Sequence, residues 1–111
     1  MYQSEDLGKL KEILIGKTVE VFEIFFTFID EMQSVSWKVE IEGKSLSILF
    51  NNYECFKMKD LSFPMEFNDL ELTDCDEEES MRRFEIRSKE KNFGCLFEEF
   101  FIDPNGGHFM G

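Results

Sequence analysis

A chain of 111 residues with 24 acidic and 12 basic side chains carries a net charge of −12, which disfavours direct binding of nucleic acid. Its 42% apolar and 15% aromatic content, with 14 phenylalanines, excludes a disordered acidic tail. The length predicts a single domain over 1–111, and three widely spaced cysteines predict reduced thiols in a cytoplasm rather than a disulfide framework.

The first predicted element is an amphipathic helix. Ser4 is followed by two acidic residues, and both features favour a helix start through capping and the helix dipole. Leucines recur at helical spacing from Leu7 to Leu14, and Gly16 is typical of a helix stop. The pattern predicts a helix over 5–15.

From Lys17 onward the apolar residues recur at every second position, as in a β-strand. The apolar phase slips by one residue between Val21 and Phe22. Either a β-bulge or a strand buried on both faces would explain this slip. The apolar run Val19–Ile29 contains two glutamates and is too short to span a bilayer, so we expect no membrane segment.

A β-hairpin follows this strand. Alternating patterns at 35–41 and 46–50 predict its two strands, and residues 42–44 predict a short glycine-containing turn. Residues 53–59 predict a further strand near a sheet edge, because two lysines flank its centre. Pro64 is expected to interrupt the region that follows.

Three more strands are predicted in the second half of the chain. They are a short strand at 70–72 with acidic polar positions, a strand at 84–86 and a heavily aromatic strand at 95–102. Residues 103–111 are expected to form a flexible tail. The whole pattern predicts an α+β fold, in which one N-terminal helix packs on an antiparallel, meander-like sheet of about six or seven strands.

The sequence contains no motif that predicts catalysis or a cofactor. Its single histidine, His108, lies in the glycine-rich tail, where a catalytic base would be hard to position. The cysteines lack the close pairing typical of zinc ligands, and the acidic loop lacks the spacing and internal glycine of an EF-hand. We therefore expect a protein that is not an enzyme and that uses no metal or other cofactor.

The most informative feature is an acidic segment from Glu66 to Glu79, which holds eight carboxylates and no lysine or arginine. Such uncompensated charge costs self-repulsion, which a basic partner would relieve. The segment is either a solubilising surface or an electrostatic docking surface. The docking hypothesis assigns partner binding to Asp69, Glu71, Asp74, Asp76, Glu77, Glu78 and Glu79.

Two other groups of residues have both a functional and a structural interpretation. Tyr53 and Phe93 are candidate aromatic anchors near turns, and ordinary packing is the simpler explanation for both. A basic cluster is interrupted by glutamates, and pairing with acids on neighbouring strands explains it most simply. The cluster consists of Arg82, Arg83, Arg87, Lys89 and Lys91.

In size, charge, lack of a catalytic motif and helix-plus-strand layout, the chain resembles the small acidic immunity proteins of bacterial toxin systems, including those of contact-dependent inhibition. The resemblance implies a cytoplasmic inhibitor that neutralises one cognate basic toxin, such as a nuclease, by covering its active site or substrate-binding surface. It implies no role for any particular residue. The expected partner is a basic protein, and we expect no direct binding of nucleic acid or of a membrane. The chain itself is expected to be a monomer or a weak dimer.

Two alternative functions stay open. One is a nucleic-acid mimic that inhibits a DNA- or RNA-processing enzyme with carboxylates at phosphate-like intervals. The other is an assembly subunit that pairs through an exposed strand edge. A compact acidic patch beside an aromatic side chain would favour the immunity protein, a long two-row stripe the mimic, and dispersed acids with an apolar edge the assembly subunit.

Overall fold

The computed structural model describes residues 2–4, 7–29, 31–58, 62–74 and 84–103. The described residues form one short helix, and most of the others lie in strands, which confirms the predicted α+β class. In chain order the elements are β1 (Tyr2–Ser4), α1 (Leu7–Leu14), β2 (Val19–Ile29), β3 (Met32–Ile41), β4 (Lys44–Asn51), β5 (Glu54–Lys57), β6 (Met65–Phe67), β7 (Glu71–Asp74), β8 (Phe84–Ser88), β9 (Phe93–Phe97) and β10 (Glu99–Asp103).

Two antiparallel sheets carry the described strands, so the prediction of one sheet with six or seven strands is wrong. The larger sheet has the order β1-β10-β4-β3-β2-β6, and the smaller has the order β5-β9-β8-β7. The chain changes sheet across very short connections, with two residues between β4 and β5 and only Glu98 between β9 and β10. Hydrophobic periodicity does not reveal such crossings, because a strand shows the same alternation in either sheet.

The helix α1 forms close to where the sequence predicts it. The leucines from Leu7 to Leu14 are buried, and the helix contacts β7. Gly16 adopts φ +76° two residues after the helix ends at Leu14, as its predicted role requires. The Lys17 ammonium donates a 2.8 Å hydrogen bond to the carbonyl of Glu12, which satisfies one of the acceptors that a helix end leaves open.

The apolar phase slip in β2 is a β-bulge, not a strand buried on both faces. The register between β2 and β3 shifts between Val21 and Glu23. Phe22 is therefore the extra residue, and Val21 and Ile24 both turn toward the core. Without the bulge, the second half of β2 would present its opposite face to the core.

The turn between β3 and β4 is the predicted tight hairpin. Ile41 pairs with Lys44, so only Glu42 and Gly43 form the loop. Both residues have positive φ angles, 52° and 78°. Two successive left-handed residues are the signature of a type I′ turn, whose twist matches that of the flanking strands.

The other strands agree with the sequence only in part. β5 lies at the edge of the smaller sheet, as predicted. The predicted strand at 95–102 is two strands, one in each sheet. The short strands β1 and β6 were not predicted, and β6 begins directly after Pro64. Asp103 closes β10, and the remainder of the predicted tail, 104–111, lies outside the described residues.

The two sheets and the helix share one aromatic core. Trp37 of β3 lies at its centre, with ring centroids 5.2 Å from Phe50, 5.8 Å from the stacked ring of Phe67 and 5.1 Å from Phe93. Phe93 belongs to the smaller sheet, so these contacts join the two sheets. The indole Nε1 of Trp37 is buried and has no hydrogen-bond partner within the described part of the chain.

Candidate functional site

Asp69, the first of the seven predicted binding residues, holds a turn in place. The Ser88 hydroxyl donates to its Oδ1 at 2.6 Å, and the Glu90 amide donates to its Oδ2 at 2.9 Å. These two bonds, the one from Ser88 first, lower the pKa of the Asp69 carboxyl. The Lys91 amide donates in turn to the Ser88 hydroxyl at 3.2 Å. Asp69 therefore stabilises the turn between β8 and β9 in its ionised form.

Glu71 is paired across the smaller sheet. It lies directly opposite Arg87, and the guanidinium Nη2 is 2.9 Å from its Oε2. This contact confirms the cross-strand explanation of the basic cluster for Arg87. Both side chains are about half exposed, and exposed pairs contribute only about 0–1 kcal/mol. The charge of Glu71 is thus locally balanced.

The remaining predicted residues divide into two groups. Asp74 is exposed and ends β7, opposite Phe84 of β8. Asp76 and 77–79 lie outside the described residues, as do Arg82 and Arg83 of the basic cluster. The assignment of partner binding to the acidic segment, which includes Glu77, Glu78 and Glu79, therefore stays a prediction.

A second acidic group lies on the outer face of the larger sheet. Glu66 of β6 pairs with Glu20 of β2, and Glu20 pairs with Glu40 of β3. We call these three directly adjacent glutamates the acidic row. Asn68 donates a 3.3 Å hydrogen bond to the Glu66 carboxylate, and Thr18 donates to Asn68 at 2.8 Å.

The acidic row is a local excess of negative charge. Like charges opposite one another on neighbouring strands are destabilising, by up to about 1 kcal/mol a pair. Glu23 follows on the same face, and Lys38 pairs with it in register. One lysine thus faces four glutamates, so the net field over this part of the sheet is negative.

Beyond the bulge, β2 exposes large apolar side chains. Phe28 is 66% exposed, and the others range from 40% to 51%. We call this set the aromatic edge; it consists of Phe22, Phe25, Phe26 and Phe28 of β2 and Met32 of β3. Strand alternation places Phe25 on the outer face of the sheet and Phe26 and Phe28 on the opposite face. Exposed apolar side chains of this size are typical of interaction surfaces.

The aromatic edge is attached to the core by a chain of ring contacts. The centroid of Phe26 lies 5.0 Å from Phe56 and 5.9 Å from Tyr53. Phe56 lies 5.6 Å from Phe93, which contacts Trp37 at the core centre. Edge-on aromatic pairs of this kind add about 0.5–1.5 kcal/mol each to area burial. The exposed ring of Phe26 is therefore held in position before any partner arrives.

A groove of about 430 Å³ lies beside the end of the β2–β3 hairpin. Its apolar walls are Phe28, Met32 and Tyr53, and its carboxylates are Glu31 and Glu54. No lysine or arginine lines it within the described residues. The groove combines apolar surface with negative charge, which suits an apolar segment that carries basic residues.

The two predicted aromatic anchors differ in accessibility. Phe93 is buried, so core packing explains it. Tyr53 is half-buried, its amide donates to the Gln33 carbonyl at 3.2 Å, and its ring lines the groove. Burial raises the pKa of the Tyr53 hydroxyl, with a smaller contribution from Cys95. Tyr53 is therefore a neutral group at the wall of the groove.

Sequence analysis identified Glu66 as part of the acidic segment, but it missed the acidic row that Glu66 forms with Glu20 and Glu40, and it missed the aromatic edge. The three glutamates are separated by as many as 46 positions along the chain, and only the strand register brings them together. The aromatic edge had one signal, the phase slip at Phe22, which marks the point where the apolar alternation changes face. The slip alone does not show that the side chains after it, in the second half of β2, are the exposed ones.

Features of metal or nucleophile chemistry are limited in the described part of the chain. No three His, Cys, Asp or Glu side chains among those residues are grouped closely enough to hold a metal ion. Burial raises the pKa of the Cys95 thiol to about 12, with a smaller contribution from Cys55, so Cys95 is protonated at neutral pH.

None of the helical segments in the described ranges has the length and hydrophobicity that a bilayer crossing requires.

Comparisons with family models, curated proteins and solved structures give no significant match to this chain.

Proposed function

We propose that this chain is a non-enzymatic binding protein that captures a basic protein, in the manner of the small acidic immunity proteins it resembles. The observation that carries the proposal is that β2 carries both exposed aromatic side chains and the acidic row, with Phe25 on the same face as the row and Phe26 and Phe28 on the opposite face, beside the groove. Phe22 lies two residues after Glu20 along β2, and both side chains are accessible. An apolar contact centre with a charged rim is the usual anatomy of a protein interface.

The aromatic edge supplies the binding energy in this proposal. Buried aromatic side chains dominate the energetics of interfaces when their partner pocket excludes water. Phe26 is preorganised by its contacts with Phe56 and Tyr53, so little conformational entropy is lost when a partner covers it. Phe28, the most exposed of the set, offers the largest gain in buried apolar area.

The negative charge supplies rate and selectivity. At net −12 the chain attracts basic proteins over about one Debye length and repels acidic ones. The acidic row concentrates that charge beside the aromatic edge. Within the predicted acidic segment, Asp74 and residues 76–79 remain the assigned partner-binding carboxylates, and Asp69 and Glu71 contribute to the field while they also stabilise the fold.

The resemblance to immunity proteins also indicates what the partner does. An immunity protein protects the cell that makes it by binding a toxin such as a nuclease, whose substrate site is basic. The aromatic edge would cover that site, and the negative field of the acidic row would attract it. The partner is then expected to lose activity in the complex, with no chemical change in either protein.

A pull-down from native lysate at low and high salt, with mass identification of the retained proteins, tests the proposal. The bait is the full chain, and two triple variants accompany it, each with three Glu→Gln changes. One changes the acidic row at Glu20, Glu40 and Glu66. The other changes three exposed glutamates elsewhere, at Glu12, Glu42 and Glu90, and so has the same net charge.

We expect the wild type and the dispersed control to retain one basic protein at low salt, and the row variant to retain at least about tenfold less. The identified partner should then lose its toxicity when it is co-expressed with the wild type. Equal retention by both variants would place the docking surface elsewhere, and retention of acidic proteins would contradict the proposed partner class.

One observation favours the assembly subunit as a second candidate function. Large apolar side chains are exposed along β2 and at the start of β3, and exposed apolar surface on strands is what a subunit that pairs with its copies needs. Sedimentation of the purified chain at rising concentration separates the two functions. A monomer–dimer equilibrium that Phe28→Lys abolishes would support assembly, whereas a monomer at all concentrations would support capture of another protein.

A further inference from the structure

A β-bulge in β5 places two cysteines opposite each other. The register between β5 and β9 shifts by one residue between Glu54 and Lys57. Two residues of β5, Cys55 and Phe56, therefore oppose the single residue Cys95 of β9. Cys55 has φ 55°, the left-handed conformation that the first residue of a G1 bulge adopts. Forty residues apart in the chain, the two thiols are neighbours in the smaller sheet.

The strand geometry brings these two thiols within the reach of a disulfide. Residues opposed across antiparallel strands have Cα atoms about 4.5–5.5 Å apart, and disulfides join Cα atoms about 4.4–6.8 Å apart. Burial raises the pKa of the Cys95 thiol, and Cys55 adds to that rise, as a nearby ionisable group does. Both thiols are free in the structure, and Cys95 donates only a weak 3.4 Å bond to the Leu96 carbonyl.

The two thiols differ in accessibility, and this difference sets an order of reaction. Cys55 is exposed and lines the groove beside the β2–β3 hairpin. Cys95 is buried and protonated at neutral pH, so a small oxidant in solution does not react with it directly. An oxidant therefore reaches Cys55 first, and Cys95 lies opposite it as a resolving thiol.

We propose that Cys55 and Cys95 are a redox pair, which a peroxide converts to a reversible disulfide that reshapes the groove. The Cys55 sulfur attacks one peroxide oxygen, the O–O bond breaks, and a sulfenic acid and one water form. The Cys95 sulfur then attacks the Cys55 sulfur. The S–S bond forms, the S–O bond breaks, and the leaving hydroxide takes the Cys95 proton as a second water. Two thiols thus give two electrons and two protons to one hydrogen peroxide, and a dithiol reductant reverses the change.

The disulfide acts on the groove to which the proposed function assigns part of the binding, so its regulatory meaning rests on that function. Cys55 shares the groove with Phe28 and Tyr53. Drawing the Cys55 sulfur toward the buried Cys95 moves β5, and Tyr53 lies only two residues earlier in the chain. Because the Tyr53 ring is 5.9 Å from Phe26, the movement extends to the aromatic edge. Oxidation is therefore expected to weaken capture of the basic partner.

Peptide mass mapping of the full chain after treatment with hydrogen peroxide tests the pair. Cleavage after lysine and arginine places each of the three cysteines in its own peptide, 45–57, 60–82 or 92–111, so every possible pairing has its own mass. We expect peptides 45–57 and 92–111 to be linked in the native protein and separate after dithiothreitol. Oxidation in urea should spread the links over all three peptides, because the fold no longer selects one pair.

Three cysteine variants assign the order of the steps. Cys95→Ala should stop the reaction at the Cys55 sulfenic acid, which reaction with dimedone records. Cys55→Ser should leave Cys95 reduced, and Cys75→Ser, the matched control, should leave the link unchanged. In the wild type, oxidation should also slow amide exchange at 54–57 by at least about tenfold, because the bond restrains an edge strand, and Cys55→Ser should show no slowing.

Two results would overturn the redox pair. A link from the native protein to peptide 60–82 would make Cys75 the partner thiol, and a lasting sulfenic acid on Cys55 of the wild type would mean that Cys95 does not reach it. Equal retention of the basic partner by the oxidised and reduced chains would overturn the control of the groove. Failure of the proposed function is distinct, since the link is measured without a partner, whereas that failure appears as equal retention by the row variant and its dispersed control.

Discussion

Asp69 accepts hydrogen bonds from Ser88 and the Glu90 amide, and both bonds cross between distant parts of the chain. We expect Asp69→Ala to lower the free energy of unfolding by about 1–3 kcal/mol, because bonds to a charged group are among the stronger ones and the turn loses its anchor. Urea unfolding followed by the fluorescence of Trp37, the single tryptophan, measures this change. Glu12→Ala, an exposed helical carboxylate, is the control and should change stability by less than about 0.5 kcal/mol.

The pH dependence of the same residue has a definite sign. Since folding lowers the pKa of Asp69, its contribution to stability is present above the unfolded value near 3.8 and is lost as the pH falls through the folded value. The stability difference between the wild type and Asp69→Asn should therefore shrink on acidification below about pH 4. A difference that stays constant down to pH 2 would show that the carboxylate charge is irrelevant to the turn.

The Cys95 thiol makes the free energy of unfolding depend on pH in the alkaline range. Its folded pKa of about 12 lies above the ordinary thiol value of 9.0, so the unfolded chain binds fewer protons between these limits. Stability from this group is complete below pH 9 and falls at about 1.4 kcal/mol per pH unit as the pH rises toward 12. Cys95→Ala should flatten the alkaline slope of the urea midpoint relative to the wild type. Parallel slopes in the two proteins would contradict the role of burial at this thiol.

At the scale of elements, the β3–β4 turn depends on backbone conformation alone. Gly43 has φ +78°, and a Cβ added there meets nothing within 4 Å. Gly43→Ala should destabilise the protein by about 1 kcal/mol, because the left-handed conformation is sterically unfavourable for a residue with a Cβ atom. Gly94 in β9 is equally unobstructed and has no such φ, so Gly94→Ala should be neutral or stabilising by up to about 1 kcal/mol. Equal effects of the two substitutions on thermal unfolding would refute the conformational explanation.

Local elements were predictable because their signals are local. The helix from Leu7 needed only leucine spacing and the stop at Gly16, and the hairpin at 42–44 needed only alternation around a glycine. In both cases the residues that determine the element lie within a few positions of one another. The bulge at Phe22 was also visible, although the sequence left two explanations for it.

Sheet membership was not predictable, because it depends on contacts between distant residues. β6 has three residues and pairs with Val19–Val21, more than 40 positions earlier in the chain. Glu98 interrupts an apparently continuous aromatic strand, and nothing in its neighbours indicates that the chain changes sheet there. The acidic row depends on the same long-range register, so the candidate site was hidden for the same reason. The acidic segment is a purely local feature, so it was the binding surface that the sequence favoured.

At the scale of the whole molecule, net charge sets the response to salt. The charge of −12 repels itself in the folded state, and added salt screens that repulsion as the Debye length falls from about 30 Å at 0.01 M to about 3 Å at 1 M. We expect sodium chloride to raise the urea midpoint. Because the exposed Glu71–Arg87 pair is worth little, its screening should not reverse the trend.

The acidic row should account for more of this salt response than its share of the charge. Replacing Glu20, Glu40 and Glu66 with glutamine removes two directly opposed like-charge pairs, worth roughly 0.2–1 kcal/mol each. This variant should be more stable than the wild type at low salt, and the gain should diminish at 1 M. The dispersed control at Glu12, Glu42 and Glu90 should gain less at the same net charge. If the two variants respond alike, the row is not a centre of repulsion.

The position of β10 has a consequence for how the protein is made. β10 is the last strand described, yet it lies inside the larger sheet, between β1 and β4. Its residues Phe100 and Ile102 are buried in the shared core. A nascent chain that still holds β10 inside the ribosome exit tunnel therefore leaves β4 without its neighbour and β1 without any partner strand. The larger sheet therefore closes only once residues up to 103 have left the tunnel, and until then the apolar β2–β3 hairpin belongs to an incomplete sheet.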